Sequence, residues 1–129
     1  MATIVEHVVF DCADPYELAR FWSKVVRRPL LDDDRPGDPV AVIEMADGPS
    51  LFFQGVPESK SVKNRVHICL CPDVPRDTEV DRVLALGATM YDDHRQPDGS
   101  GFAVLTDPEG NEFCVLRSKA ERPADHPGG

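Results

Sequence analysis

Shifted by 60 residues, the chain falls on itself without a gap. His7 lands on His67, Pro15 on Pro75, Asp32-Asp33 on Asp92-Asp93, Asp38 on Asp98, Asp47 on Asp107 and Phe53 on Phe113. The secondary-structure signals repeat at the same offset, and an internal repeat constrains a fold more than any local pattern. In the first half, "IVEHVVFDC" has strand composition. Asp14-Pro15-Tyr16-Glu17 then supplies an N-cap acceptor, a proline at the first helical position and a glutamate at N3. Leu18, Phe21, Trp22, Val25 and Val26 recur at helical spacing, with Trp22 assigned to the core between helix and sheet. "VAVIEM" and "SLFFQGV" follow as strands around Asp47-Gly48-Pro49.

The second half copies this plan. "RVHICLC" is read as a strand and Arg76 to Leu86 as a helix burying Val80, Val83 and Leu84, with Gly87 as its C-cap. "ATMYDD", "GFAVLT" and "EFCVLR" complete the half as strands. The expectation is an α+β fold of two tandem βαβββ modules. One helix per module covers only one sheet face, so the helices take the outer side. The open faces must pair with each other or with another chain. Such pairing makes a cupped cleft, the kind of place where small molecules bind. Module one is expected at about 1–57, a polar connector at about 58–64 and module two at about 65–118. All three form one domain over 1–118, and 119–129 is expected as a flexible tail.

Composition narrows the function. A formal net charge of −9 argues against nucleic acid, whose phosphates need clustered Lys and Arg. No apolar run reaches membrane-spanning length, and the start "MATIVEHVVF" lacks the marks of a secretory signal, so a cytoplasmic location is expected. Cys12, Cys69, Cys71 and Cys114 show neither a C-x-x-C pair nor zinc-finger spacing and are expected as free thiols.

Strand parity assigns the candidate site. With Val8 and Phe10 under the first helix, Val5, His7 and Val9 turn to the open face. Ile68 and Leu70 go under the second helix, which leaves His67, Cys69 and Cys71 on the open face. Phe53 and Phe113 take the helix side, so Phe52, Gln54, Glu112, Cys114 and Leu116 face the cleft. The repeat pairs His7 with His67 and Gln54 with Cys114. A lone strand histidine is usually structural, but two at equivalent positions on one face suggest a pocket.

"HVVFDCADPYELARFW", followed by "VHICLCPDV", "VLALGAT" and "FAVLTDPEGNEFCVL", resembles the vicinal-oxygen-chelate superfamily, and within it the glyoxalase-like group that includes bleomycin-resistance proteins and dioxygenases. The resemblance runs from about Ile4 to Arg117. It implies paired βαβββ modules around a cupped cleft, commonly in a homodimer. It also implies four metal-ligand positions. His7 and His67 match the two first-strand ligands, while Gln54 and Cys114 fall where active metalloenzymes usually carry glutamate.

Hard divalent ions draw their stability from carboxylates, so a neutral glutamine and a thiol weaken both metal binding and base function. A softer site for zinc or copper is conceivable from His7, His67 and Cys114, with Cys69 and Cys71 nearby. The expectation is no resident cofactor, or at most a weakly held Zn, Ni or Fe. Three readings stand. In the first, the chain binds a small hydrophobic or aromatic molecule without turnover, through His7, Phe52, Gln54, His67, Cys69, Glu112, Cys114 and Leu116. In the second, it is a lyase, isomerase or dioxygenase-type enzyme of the same superfamily, with His7 or His67 as acid or base. In the third, the cleft is vestigial in an accessory domain.

Overall fold

The computed structural model describes residues 2–123. The chain divides into two compact units, Met1–Ser61 and Val62–Gly129, each α+β with one helix against one sheet.

The first unit runs β1 (His7–Cys12), α1 (Pro15–Val26), β2 (Val40–Ile43) and β3 (Ser50–Gly55). Asp14 caps α1 by accepting from the Glu17 N–H at 3.2 Å, and Pro15 opens the first turn, as its sequence predicts. The helix stops at Arg27, whose left-handed φ of 57° turns the Arg27 and Arg28 N–H groups back onto the Ser23 carbonyl. Leu18, Phe21, Trp22 and Val25 are buried. The Phe10 ring stands 5.5 Å from Trp22 and 4.9 Å from Phe53, which fixes the helix-facing side of β1 and β3.

The sheet of this unit has order β1-β3-β2, with β1 parallel and β2 antiparallel to β3. Among the described residues it has three strands, so the unit is βαββ where the repeat leads one to expect βαβββ. The missing strand would fall in the stretch after α1, which carries Pro29, Pro36 and Pro39 around the run Asp32-Asp33-Asp34. Prolines cannot donate to a ladder. The segment instead folds into a turn in which the Arg35 N–H donates to Asp38 Oδ2 at 2.9 Å. The Asp34 carboxylate accepts the Val42 N–H of β2 at 3.1 Å, standing in for a strand.

The second unit runs β4 (Ile68–Leu70), α2 (Arg76–Leu86), β5 (Thr89–Asp93), β6 (Ala103–Thr106) and β7 (Glu112–Val115), with sheet order β4-β7-β6-β5. This is the full βαβββ plan. Asp107 builds the β6–β7 turn. Its buried carboxylate accepts from the backbone N–H groups of Glu109 and Asn111 at 2.9 and 3.0 Å, and from the Asn111 side chain at 2.9 Å. Pro75, at the N-cap of α2, offers no side-chain acceptor. Glu121 replaces it, taking the Arg76 N–H at 2.8 Å from a 3-10 turn at Lys119–Glu121. That turn lies in the stretch expected as tail. Ser118 N–H and Oγ hold the same carboxylate at 2.7 and 2.8 Å, so the chain is anchored here. The rest of the expected tail, 124–129, lies outside the described residues.

The two units do not share one register. Phe53 and Phe113 are 60 positions apart, but their first-strand neighbours, Phe10 and Ile68, are 58 apart. Their neighbours on the middle strands, Ala41 and Leu105, are 64 apart. With β3 laid on β7, His67 therefore corresponds to Val9 and Cys69 to Asp11. His7 is not the counterpart of His67. A slip of two residues preserves the face of every side chain, whereas a slip of one would invert it.

Candidate functional site

In the first unit, the face of the sheet away from α1 carries His7, Val9 and Asp11 from β1 with Phe52 and Gln54 from β3. The His7 and Phe52 rings are 5.3 Å apart, and His7 Nε2 lies 3.5 Å from Glu6 Oε2. Val9 is 51% exposed and Val5, just before the strand, 69%. Gln54 is exposed and stands across from Asp11. Asp11 was missed by a reading centred on histidines and cysteines. It sits four residues after His7, so the same parity that selected Val9 also selects it.

In the second unit, Cys69 and Cys114 are direct neighbours on the parallel strands β4 and β7. His67, just ahead of β4, shares their face by parity. A nitrogen of His67 and the sulfurs of Cys69 and Cys114 lie within 4.8 Å of one another. Among the described residues this is the group of three or more His, Cys, Asp or Glu side chains with metal-ligand proximity. His67 and Cys69 are exposed while Cys114 is buried. Burial pushes the Cys114 thiol up to about 11. The Cys69 thiol adds to the rise, and the Lys63 charge opposes it. A thiol in that state is protonated at neutral pH and is a poor nucleophile. Cys71 lies outside the group and accepts from Arg122 Nη2 at 3.2 Å.

Glu112, expected on the cleft face, is buried. It is 5% exposed, and its Oε1 accepts the Asn64 N–H at 2.7 Å, which ties the connector to β7. Leu116 is half-buried just past β7, and its N–H donates to the Leu70 carbonyl at 2.9 Å. An open concavity of about 650 Å³ is lined by Val62, Lys63 and Asn64 of the connector with Arg65 and His67 just after it.

These residues do not fit a hard divalent cation. Mg²⁺ and Mn²⁺ require carboxylate oxygens. At the two last-strand positions stand a carboxamide, Gln54, and a buried thiol, Cys114, and the nearest carboxylate to Cys114 along β7 already holds a backbone N–H. The donors that do converge are soft. Among the described residues, no helix is long and apolar enough to cross a membrane.

The fold is shared with solved structures of several activities. "Oxidase ChaP-H2" is 23% identical, with a TM-score of 0.63 over 95% of this chain and 96% of that one. Lactoylglutathione lyase from Agrobacterium tumefaciens is 16% identical, with a TM-score of 0.60 over 89% and 93%. A mutant of the genomically encoded fosfomycin resistance protein FosX from Listeria monocytogenes is 16% identical. It is complexed with Mn(II) and 1S,2S-dihydroxypropylphosphonic acid, and its TM-score is 0.68 over 98% and 100%. At such identities the likeness establishes the fold and leaves the activity open. No curated protein matches the chain. The Glyoxalase-like domain family matches residues 7–116, which is most of the chain. The chain belongs to the glyoxalase-like domain family.

Proposed function

We propose that this chain binds a small hydrophobic or aromatic molecule on its open sheet faces, without a strong hard-metal site, and works as a homodimer in the cytoplasm. The observation that carries the reading is the face formed by Val5, His7, Val9 and Phe52. Two exposed valines and a half-buried aromatic ring lie beside an imidazole, with Asp11 and Gln54 on the same face. Apolar lining with a few placed polar groups is the usual make-up of a small-molecule site. Exposed Ile4, Val5 and Val66 support a second copy as a further cover for apolar surface. Four cysteines outside any disulfide suit a reducing compartment.

Native mass spectrometry of the full chain tests both parts. A two-chain mass carrying extra mass from a retained organic molecule is expected for the unaltered protein. Val9→Arg, a change at an exposed position, is expected to stay folded and lose that extra mass. Bare single chains, or an equal load on Val9→Arg, would count against the reading. The oxidase and the lyase among the structural neighbours favour a second reading, in which the bound molecule is turned over by lyase, isomerase or dioxygenase-type chemistry. A retained mass that changes with time on the folded protein would separate turnover from simple binding.

A further inference from the structure

We propose that His67, Cys69 and Cys114 form a binding site for a thiophilic divalent cation such as Zn²⁺, built within the second unit alone. The three donors belong to two adjacent strands. Cys69 and Cys114 face each other across β4 and β7, and His67 precedes Cys69 by two positions, so all three share one side of the sheet. In a tetrahedral zinc site the bonds are about 2.3 Å to sulfur and about 2.0 Å to nitrogen, which puts ligand atoms about 4 Å or less apart. The donor atoms already lie within 4.8 Å of one another, so closure shortens no separation by more than about 1.3 Å.

The parts that must hold still and the part that must adjust are suitably placed. Cys114 sits on β7, which is paired on both sides by β4 and β6. His67 lies outside β4 and is exposed. Two thiols that release their protons on binding the metal neutralise a dication. Three protein donors leave a fourth position, as in zinc sites that keep an open coordination site. His67 also lines the concavity beside Lys63 and Arg65, where a water molecule or small anion can complete the coordination. This donor set has no carboxylate and takes nothing from the first unit. It keeps two of the four positions that the resemblance implies, His67 and Cys114, puts Cys69 in place of any first-unit ligand, and does not depend on the small-molecule reading.

Cobalt(II) provides the probe, because thiolate ligation gives it a sulfur-to-metal charge-transfer band. The reduced full chain, titrated with Co²⁺, is expected to take up one ion with that band and to lose it on adding one equivalent of Zn²⁺. Cys69→Ser and His67→Ala alter exposed side chains and leave the core intact. Each is expected to weaken zinc binding by more than the roughly 10–100-fold typical of an outer-shell change. Cys71→Ser is expected to bind as the unaltered chain does. Absence of the band in the reduced, folded chain would overturn the proposal, and so would an undiminished band in Cys69→Ser.

Discussion

Arg76→Ala is expected to destabilise the second unit by about 3 kcal/mol, in the range found for breaking a buried charged network. Arg76 is 5% exposed at the first turn of α2. Its Nη1 donates to the carbonyls of Gly99, Ser100 and Gly101 at 3.1, 3.0 and 2.9 Å, and its Nε donates to Asp77 Oδ1 at 3.0 Å. One guanidinium thus fastens the β5–β6 connection to the helix. Alanine leaves three carbonyls to find other donors and opens a cavity where the side chain lay. Arg76→Lys keeps the charge but loses the planar fork, so it is expected to recover only a minor part of the loss. Urea unfolding should report both as a lower midpoint at unchanged slope. A loss under about 1 kcal/mol for Arg76→Ala would show that these bonds contribute little net stability.

Gly101→Ala is expected to cost as much or more, about 3 kcal/mol or above, from strain at one backbone position. Gly101 has φ of 89°, and a Cβ there would lie 2.1 Å from the His94 carbonyl oxygen. That oxygen belongs to the backbone entering the same loop, where the His94 N–H donates to the Phe102 carbonyl at 2.9 Å. It cannot move aside without breaking the end of the hairpin. Gly99 provides the control, with a similar φ of 91° and nothing within 4 Å of an added Cβ. Gly99→Ala should therefore incur only the left-handed backbone penalty of about 1–2 kcal/mol. Equal unfolding midpoints for the two variants would contradict the steric account.

The elements were legible because their signals are local. Asp14-Pro15 announces α1, Gly87 ends α2 with its N–H turned back to the Leu84 carbonyl, and Phe53 and Phe113 mark the helix-facing side of each sheet. The register was not legible. Identities at a gapless offset of 60 concealed compensating changes, because the hairpins and crossovers of the two units differ in length. Parity survived the two-residue slip, so faces could be assigned while the counterpart of His67 could not. That the first unit has three strands among the described residues, and not four, was hidden for a related reason. Its prolines were visible, but the repeat outweighed them. Parity places Glu112 on the open face but does not reveal its partner. Only the fold shows the connector crossing near enough for Asn64 to donate to it.

In the candidate site, the sequence grouped His67 and Cys114 with His7 as soft donors and placed Cys69 only nearby, on the same face. It could not show that their donor atoms converge, which depends on Cys69 standing directly beside Cys114 in the β4–β7 ladder. The structure thereby moves attention from carboxylate chemistry to thiol chemistry on a glyoxalase-like scaffold. Substituting soft for hard donors at such a position changes which cation is preferred while leaving the strands that present it unchanged.

The central claim is that this chain keeps the scaffold of its family without a hard-metal site. Equilibrium dialysis of the reduced full chain against equal concentrations of Mn²⁺ and Zn²⁺, followed by metal analysis of the protein, tests it most directly. Zinc on the protein with manganese left in the dialysate is the expected result. Stoichiometric manganese on the protein, held in the presence of equal zinc, would contradict the claim.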